Sequence, residues 1–254
     1  MSLPPSDFLK YQERLVESVS QRSDVLGLMF AGSSANLARA DKYSDHDFYL
    51  IVEDEVAEKY RQELDWLPDS EQILLRPRET QHGLKVMYED GRLLEFAVFA
   101  DSELDSQIAP PDRVVAFARG GIADRIEAIG LKEAGAFKLE DELALLLTLI
   151  HIGIGRARRG EIVAANQHIK GYAVNHLVGI IRNATGDSAN ADSLNRYRRF
   201  ELDRPEEAAA IAKALDLQAE QAAAELIEIA SDWVPAELRP QFNAARAVIL
   251  TASD

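Results

Sequence analysis

The segment between Gly32 and Val52 constrains the fold of this chain more than any other, because it links two apolar runs through a polar connection. The runs are Val25 to Ala31 and Phe48 to Val52, and short apolar runs bounded by turn residues are typical of buried strands. Asp45 and Asp47 lie where the second strand begins. Residues i and i+2 of a strand point to the same side, so both carboxylates are predicted to face one point in space.

Asp45 and Asp47 together predict a cation site. At this spacing the two carboxylates would repel each other unless a cation lay between them. Asp47 also precedes five apolar residues, where an unpaired carboxylate is costly. Mg²⁺ is the natural ion, because it takes oxygen ligands and commonly shares them with substrate phosphates. The alternative is a polar loop that caps a strand, since an Asp-x-Asp pattern also occurs by chance.

Gly32 and Ser33 form a predicted turn between the first strand and the aspartates. Glycine permits close approach of the backbone, and the N–H groups of such a turn can hold phosphate oxygens. A helix beginning at Ser33 or Ser34 would add the positive end of its dipole. The turn alone could be an ordinary strand end, but its place ahead of the two aspartates indicates a Mg²⁺–nucleotide site.

The composition limits the class of protein. A chain of 254 residues, 47% of them hydrophobic, can bury a core in one or two domains. It has no cysteine, which excludes disulfides and thiolate metal sites. The net charge of −15 argues against broad non-specific nucleic-acid binding and would suit a cationic small substrate. Met1 to Lys10 does not resemble a secretory signal, and the apolar run Leu143 to Gly155 is too short to span a bilayer, so we expect a soluble, cytoplasmic protein without a membrane partner.

The pattern of apolar residues divides the chain into an α/β (α+β) domain with a mixed sheet, residues 1–130, and an all-α helical bundle, residues 131–254. In the first domain Asp90-Gly91 predicts a hairpin turn between Leu84–Glu89 and Arg92–Ala100. Val114–Ala118 and Ile122–Ile126 could each be strand or helix. The other elements predicted for the first domain are helices at Ser6–Arg22 and Glu55–Leu64 and strands at Val25–Ala31, His46–Glu53 and Gln72–Leu75. The helices predicted for the bundle are Leu139–Ala157, Ile162–Asn183, Pro205–Leu215, Leu217–Asp232 and Pro235–Thr251.

The order of these motifs resembles a known family. Gly32-Ser33, eleven intervening residues, and then Asp45-x-Asp47 entering an apolar strand are similar to the motif of the nucleotidyltransferase superfamily with the DNA polymerase β-like fold. An α/β domain followed by a helical bundle resembles the aminoglycoside and lincosamide O-nucleotidyltransferases within it. The likeness covers about the first hundred residues at the level of motifs. It departs at Leu37, where members of the family frequently carry a second glycine, so the shape of the loop is expected to differ.

The resemblance implies a third carboxylate on a neighbouring strand. Glu95 is the candidate, because it lies among apolar residues after the hairpin turn, whereas its competitors Glu89 and Asp90 are more typical of the turn itself. In the family this residue completes the metal site or takes the proton of the acceptor hydroxyl. The alternative is a solvent-facing residue of an edge strand. Ser44 would touch the triphosphate by the same resemblance, or would cap the start of the strand.

Basic residues cluster in the helical half of this acidic chain. The resemblance implies that the second domain supplies cations to the triphosphate, and Lys170 is the leading candidate. The alternative is that these residues complement the carboxyl ends of helices. His151, His168 and His176 lack the spacing of a zinc motif. The arginines of the cluster are Arg156, Arg158, Arg159, Arg182, Arg196, Arg198 and Arg199.

The sequence therefore predicts an enzyme that transfers a nucleoside monophosphate from a nucleoside triphosphate, with ATP the expected donor, to a hydroxyl of a small molecule. Mg²⁺ is the expected cofactor and pyrophosphate the second product. Resemblance suggests an aminoglycoside-like or lincosamide-like acceptor, bound between the two domains. Two alternatives stay open: a nucleotidyltransferase that AMPylates a protein, as antitoxin-type relatives do, and a domain that binds nucleotides without catalysis.

Overall fold

The computed structural model describes residues 6–107, 110, 112–130, 137–186 and 195–251 of the chain. The chain forms two compact units, Met1–Glu133 and Ala134–Asp254. The first combines a mixed sheet with helices and the second is helical, so the predicted fold class, a mixed α/β domain followed by an all-α domain, is confirmed. No helix within the described ranges combines the length and the apolar character that a bilayer crossing needs.

A six-stranded sheet organises the first unit, with the strand order β3-β4-β5-β2-β1-β6. Only β2 and β5 pair in parallel among the described strands, and the other neighbours are antiparallel. The strands are β1 Val25–Ala31, β2 His46–Val52, β3 Ile73–Leu75, β4 Gly83–Tyr88, β5 Leu93–Ala100 and β6 Arg113–Ala118. The predicted strands are thus confirmed, and the first of the two segments left open is β6.

Within the described part of this unit, four α-helices accompany the sheet: α1 Ser6–Ser20, α2 Gly32–Ala35, α3 Ala57–Gln62 and α4 Ile122–Ala128. The second segment left open is therefore a helix. One face of the sheet is buried under α1 and α3, where Leu15, Phe48 and Trp66 are at most 1% exposed. On the opposite face Met29 and Ile51 pack against α4. In the carboxyl-terminal half of β2, successive residues are buried alternately in the two cores. This burial determines which side chains of the strand point to each face of the sheet.

Turns of 3₁₀ helix complete the first unit, at Leu37–Arg39, Asp54–Val56, Ser70–Gln72 and Asp101–Ser106. The hairpin between β4 and β5 differs from the prediction. Tyr88 N–H donates to the carbonyl of Arg92 at 3.0 Å, so three residues, 89–91, connect the strands instead of Asp90-Gly91 alone. Gly91 has a φ of +84°, as expected of the left-handed residue in a three-residue hairpin loop.

The first residue of β2, His46, is buried between α1 and the sheet. Its ring stacks on Phe8 with centroids 4.1 Å apart and lies 4.7 Å from that of Tyr11. Burial, and then the positive charge of Arg92, lowers the pKa of His46 to about 3. The side chain is therefore neutral at physiological pH, and it packs as an aromatic residue on the face opposite to Asp45 and Asp47.

We expect the free energy of unfolding to fall on acidification because of His46. Its pKa is about 3 in the folded chain and 6.5 ordinarily, so the unfolded state binds the extra proton below pH 6.5 and stability is lost as the pH falls. Relative to a His46→Leu variant, the native protein should lose about 2 kcal/mol between pH 7 and pH 5. Urea unfolding with EDTA at several pH values measures this; parallel curves for the two proteins would contradict it.

The second unit consists of helices packed around one apolar core, which includes Leu146, Ile169, Leu177 and Leu226. Residues Gln167–Ala173 form a π-helical segment inside an otherwise continuous helix, so the helix predicted at 162–183 is present but locally underwound. The α-helices are α5 Leu139–Arg158, α6 Ile162–Asn166, α7 Val174–Thr185, α8 Phe200–Asp203, α9 Pro205–Leu215, α10 Ala219–Ser231 and α11 Arg239–Thr251.

Candidate metal centre

Three carboxylates come together at the amino-terminal ends of β2 and β5. Asp47 and Glu95 are directly paired in the register of the two parallel strands, and Asp45 precedes Asp47 by two residues. Each of the three offers one oxygen, and these oxygens all lie within 4.8 Å of one another. Residues about fifty positions apart in the chain thus meet, because neighbouring parallel strands have their amino-terminal ends at the same edge of the sheet.

The donor set suits a hard divalent cation. Among the described residues the cluster consists of carboxylates alone, which favours Mg²⁺ or Mn²⁺ over Zn²⁺, whose protein sites usually include histidine or cysteine. Burial and the charges of Asp47 and Glu95 raise the pKa of the Tyr49 hydroxyl, which follows Asp47 on the same face. Glu95 is the most exposed of the three, with 47% of its side chain accessible. The site is therefore negative and open on the Glu95 side.

Gly32 lies against the carboxylate of Asp47. A Cβ atom on this residue would come within 3.0 Å of Asp47 Oδ2, and the φ of +53° lies in the left-handed region. The φ favours glycine, and a Cβ here would displace the carboxylate of Asp47. Ser34 is also placed at the site: its hydroxyl accepts a hydrogen bond from the N–H of Asp47 at 3.0 Å, and its carbonyl accepts one from the buried Gln12 at 3.1 Å. The turn thereby fixes the backbone of Asp47.

Ser33 is a buried polar residue of the same turn. Its side chain is 4% exposed, and its Oγ atom has no hydrogen-bond partner among the described residues. A buried polar atom without a partner is costly, and a phosphate oxygen would satisfy it. Ser33 lies within the single turn α2, Gly32–Ala35, which is too short to contribute the helix dipole that the sequence predicted.

We expect Gly32→Ala to reduce any metal-dependent activity while Gly120→Ala does not. Gly120 has nearly the same φ, +54°, but no atom lies within 4 Å of the place that a Cβ would occupy there. Both variants should lose about 1–2 kcal/mol of stability from backbone strain. Only Gly32→Ala displaces Asp47, which should cost a further tenfold to a hundredfold in rate, on the order of what a 1 Å misplacement costs. Equal activity in the two variants, measured beside their thermal unfolding, would contradict the assignment.

Two other residues predicted for the nucleotide site make structural contacts. The Ser44 hydroxyl accepts a hydrogen bond from the N–H of Asp41 at 2.9 Å, which closes the turn ahead of β2. In the second unit, Lys170 Nζ donates to the carbonyls of Leu215 and Leu217 at 2.8 and 2.5 Å. These contacts match the strand-capping and helix-end alternatives, and phosphate contacts by either residue stay predictions.

Arg182, one of the basic residues singled out in the second unit, is buried. It donates to the carbonyls of Arg196 and Arg198 and pairs with Asp203 at 3.0 Å. Burial with three protein partners satisfies its guanidinium group. Arg182 therefore holds the segment before α8 in place.

Sequence reasoning missed Lys85, which lies beside the carboxylates. Its residue is directly opposite Glu95 on the antiparallel neighbour β4, and Lys85 Nζ is 3.5 Å from Glu95 Oε2. A hydrogen bond to Glu79 and the charge of Glu95 raise the pKa of Lys85. Ser34 and Gln12 were also missed as contacts of the turn. The alternation of β4 gave a signal for the face on which Lys85 lies, but its partner depends on the hairpin register.

The chain is similar to several solved structures. No family model and no curated protein matches the chain. An aminoglycoside 6-adenyltransferase from Bacillus subtilis is 12% identical, with 97% of this chain and 92% of that chain covered and a TM-score of 0.32. A nucleotidyltransferase-like protein from Exiguobacterium sibiricum is 11% identical, with 92% and 78% covered and a TM-score of 0.35.

A third similar structure is the CD-NTase CdnG of Bradyrhizobium diazoefficiens, solved in complex with GTP. It is 16% identical to this chain, with 99% of this chain and 94% of that chain covered and a TM-score of 0.29. The chain is thus similar to solved nucleotidyltransferases. At these identities and TM-scores, the chemistry of this chain has to be inferred from its own side chains.

Proposed function

We propose that this protein transfers a nucleoside monophosphate from a nucleoside triphosphate, with ATP the expected donor, to a hydroxyl of a small molecule. One observation carries the proposal: Asp45, Asp47 and Glu95 offer oxygens within 4.8 Å of one another, beside a turn whose Ser33 hydroxyl is buried without a partner among the described residues. A hard cation and a phosphate group together would satisfy both features.

Asp45, Asp47 and Glu95 would hold Mg²⁺. When bound, such an ion neutralises charge on the phosphates and supports in-line attack. The Gly32–Ser33 turn would hold phosphate oxygens through its N–H groups and the Ser33 hydroxyl. Asp47 is held by the sheet and by the hydrogen bond from its N–H to Ser34, so the backbone of this carboxylate is fixed at the donor site.

Glu95 would act on the acceptor, since it is the most exposed of the three carboxylates. The acceptor oxygen forms a bond to the α-phosphorus, the bond from that phosphorus to the bridging oxygen of the β-phosphate breaks, and pyrophosphate leaves. Glu95 would orient the attacking hydroxyl or accept its proton. A cationic acceptor, such as an aminoglycoside-like or lincosamide-like molecule, suits the net charge of −15.

Incubation of the protein with α-labelled ATP or GTP and Mg²⁺ tests the proposal. Label is expected on a small hydroxylated acceptor, together with one pyrophosphate released per transfer, when antibiotics of both classes are supplied. Label on added proteins would favour the AMPylating alternative, and products formed from nucleotides alone would make a nucleotide the acceptor. Nucleotide binding without pyrophosphate release would favour a non-catalytic domain and would overturn the proposal.

A further inference from the structure

A row of three charged residues, two acidic and one basic, crosses the sheet at the candidate metal centre. Asp47 on β2 pairs with Glu95 on β5, and Glu95 pairs in turn with Lys85 on β4. Residues paired directly across neighbouring strands point to the same face. Lys85 therefore flanks Glu95 on the side away from the two aspartates.

Lys85 is held in this place by a fourth residue, Glu79. Lys85 Nζ lies 2.9 Å from Glu79 Oε1 and 3.5 Å from Glu95 Oε2. The loop that carries Glu79 is itself fixed to β4, because Glu79 N–H donates to the carbonyl of Gly83 at 2.9 Å and Lys85 N–H donates to that of Pro77 at 3.0 Å. Glu79 thus keeps the ammonium group beside Glu95.

We infer that Lys85 is a positioning residue for Glu95, the third carboxylate of the proposed metal centre, and that Glu79 restrains Lys85 from entering that centre. The inference rests on the proposed function for its metal. Three carboxylates at this distance repel one another, and repulsion would turn the most exposed of them, Glu95, away. The ammonium group offsets part of that repulsion with its positive charge, and its ion pair holds Glu95 in one side-chain conformation instead of leaving the carboxylate free to rotate.

The effect belongs to metal binding more than to folding. Lys85 has 37% of its side chain exposed, and exposed ion pairs contribute little to the stability of a fold. A purely structural pair would leave cation affinity unchanged when it is removed. Removal of a positioning pair weakens the affinity, because part of the binding free energy is then used to order Glu95.

A double-mutant cycle on Mn²⁺ binding tests the inference. The affinity of the full-length protein for Mn²⁺ alone is measured by electron paramagnetic resonance for the native protein, Lys85→Met, Glu95→Gln and the double variant. We expect Lys85→Met and Glu95→Gln each to weaken binding by about tenfold, and the double variant to bind no more weakly than Glu95→Gln alone. Direct repulsion between Lys85 and the ion is common to both backgrounds and cancels in the cycle.

Two further variants serve as controls. Lys85→Arg keeps the charge and should retain most of the affinity. Lys59→Met removes the same charge from α3, which packs on the opposite face of the sheet; Lys59 pairs with Glu63 at 3.9 Å. This variant should bind Mn²⁺ as the native protein does. Thermal unfolding in EDTA verifies that every variant is folded.

Additive losses in the cycle, or an equal loss in Lys59→Met, would overturn the positioning role. The outcome is separable from that of the proposed function. Coupling between Lys85 and Glu95 without label transfer would leave the inference standing and end the proposed reaction. Transfer without coupling would do the reverse.

Discussion

The Asp47→Asn variant is expected to keep its fold and to lose about a thousandfold in the rate of nucleotidyl transfer, equivalent to about 4 kcal/mol of transition-state stabilisation. The fold survives because the hydrogen bond to Ser34 uses the backbone N–H of Asp47, and asparagine has nearly the same shape. The rate falls because a neutral amide is a poor ligand for a hard cation and offsets none of its charge.

Steady-state pyrophosphate release at several Mg²⁺ concentrations measures this effect. Glu53→Gln is the matched control, since Glu53 is an exposed carboxylate that follows the other end of the same strand. The control should retain native activity. If Asp47→Asn kept more than about a tenth of the native rate, where loss of a metal-held charge predicts about a thousandfold, Asp47 would not be a metal ligand.

Glu95→Gln is expected to lower kcat by about a hundredfold, in the range typical of a lost general base. The variant should also raise the Mg²⁺ concentration needed for half-maximal activity by about tenfold if Glu95 is a metal ligand. The two roles named for this residue are therefore separable. A fall in kcat with an unchanged requirement for Mg²⁺ indicates action on the acceptor hydroxyl alone.

The matched control for this experiment is Glu89→Gln. Glu89 is an exposed glutamate in the loop between β4 and β5, and it competes with Glu95 for the third position when only the sequence is considered. Native kcat in Glu89→Gln and a loss in Glu95→Gln would assign the position to Glu95. The opposite pair of results would assign it to the hairpin loop.

Local patterns were sufficient to predict most strands and helices. The alternation from Asp47 to Val52 fixed which side chains share a face, and the structure places Asp47 and Tyr49 on the face opposite to Phe48. A period of two depends only on neighbouring residues, so it can be recognised without knowledge of the fold. The convergence of Asp45 and Asp47 needed nothing further.

Contacts that depend on register could not be predicted in the same way. A two-residue turn at Asp90-Gly91 would pair Lys85 with Phe96, whereas the three-residue loop pairs it with Glu95. A shift of one residue exchanges the faces of a strand, so the error concealed the only lysine that the described residues place on Glu95. The predicted two-residue turn and the observed three-residue loop differ in the backbone hydrogen bonds around residues 89–91, where Tyr88 N–H donates to the carbonyl of Arg92.

Long-range partners explain the remaining differences. His46 is enclosed by α1, whose residues lie well before it in the chain, and a histidine between two aspartates gives no local sign of burial. Lys170 donates to the carbonyls at 215 and 217, which are distant in sequence. Helical periodicity located Lys170 on a helix but could not identify which helix end it would meet.

The parallel pairing of β2 with β5 has a consequence for folding. Residues 47 and 95 are joined by a connection that contains α3, β3 and β4, so the carboxylates meet only after that whole crossover has formed. In the unfolded chain these carboxylates are not held together. A divalent ion would therefore bind the folded chain alone and stabilise the first unit against unfolding. At a concentration a hundredfold above its dissociation constant, the free energy of unfolding should rise by about 2.7 kcal/mol, and the melting temperature should rise with it.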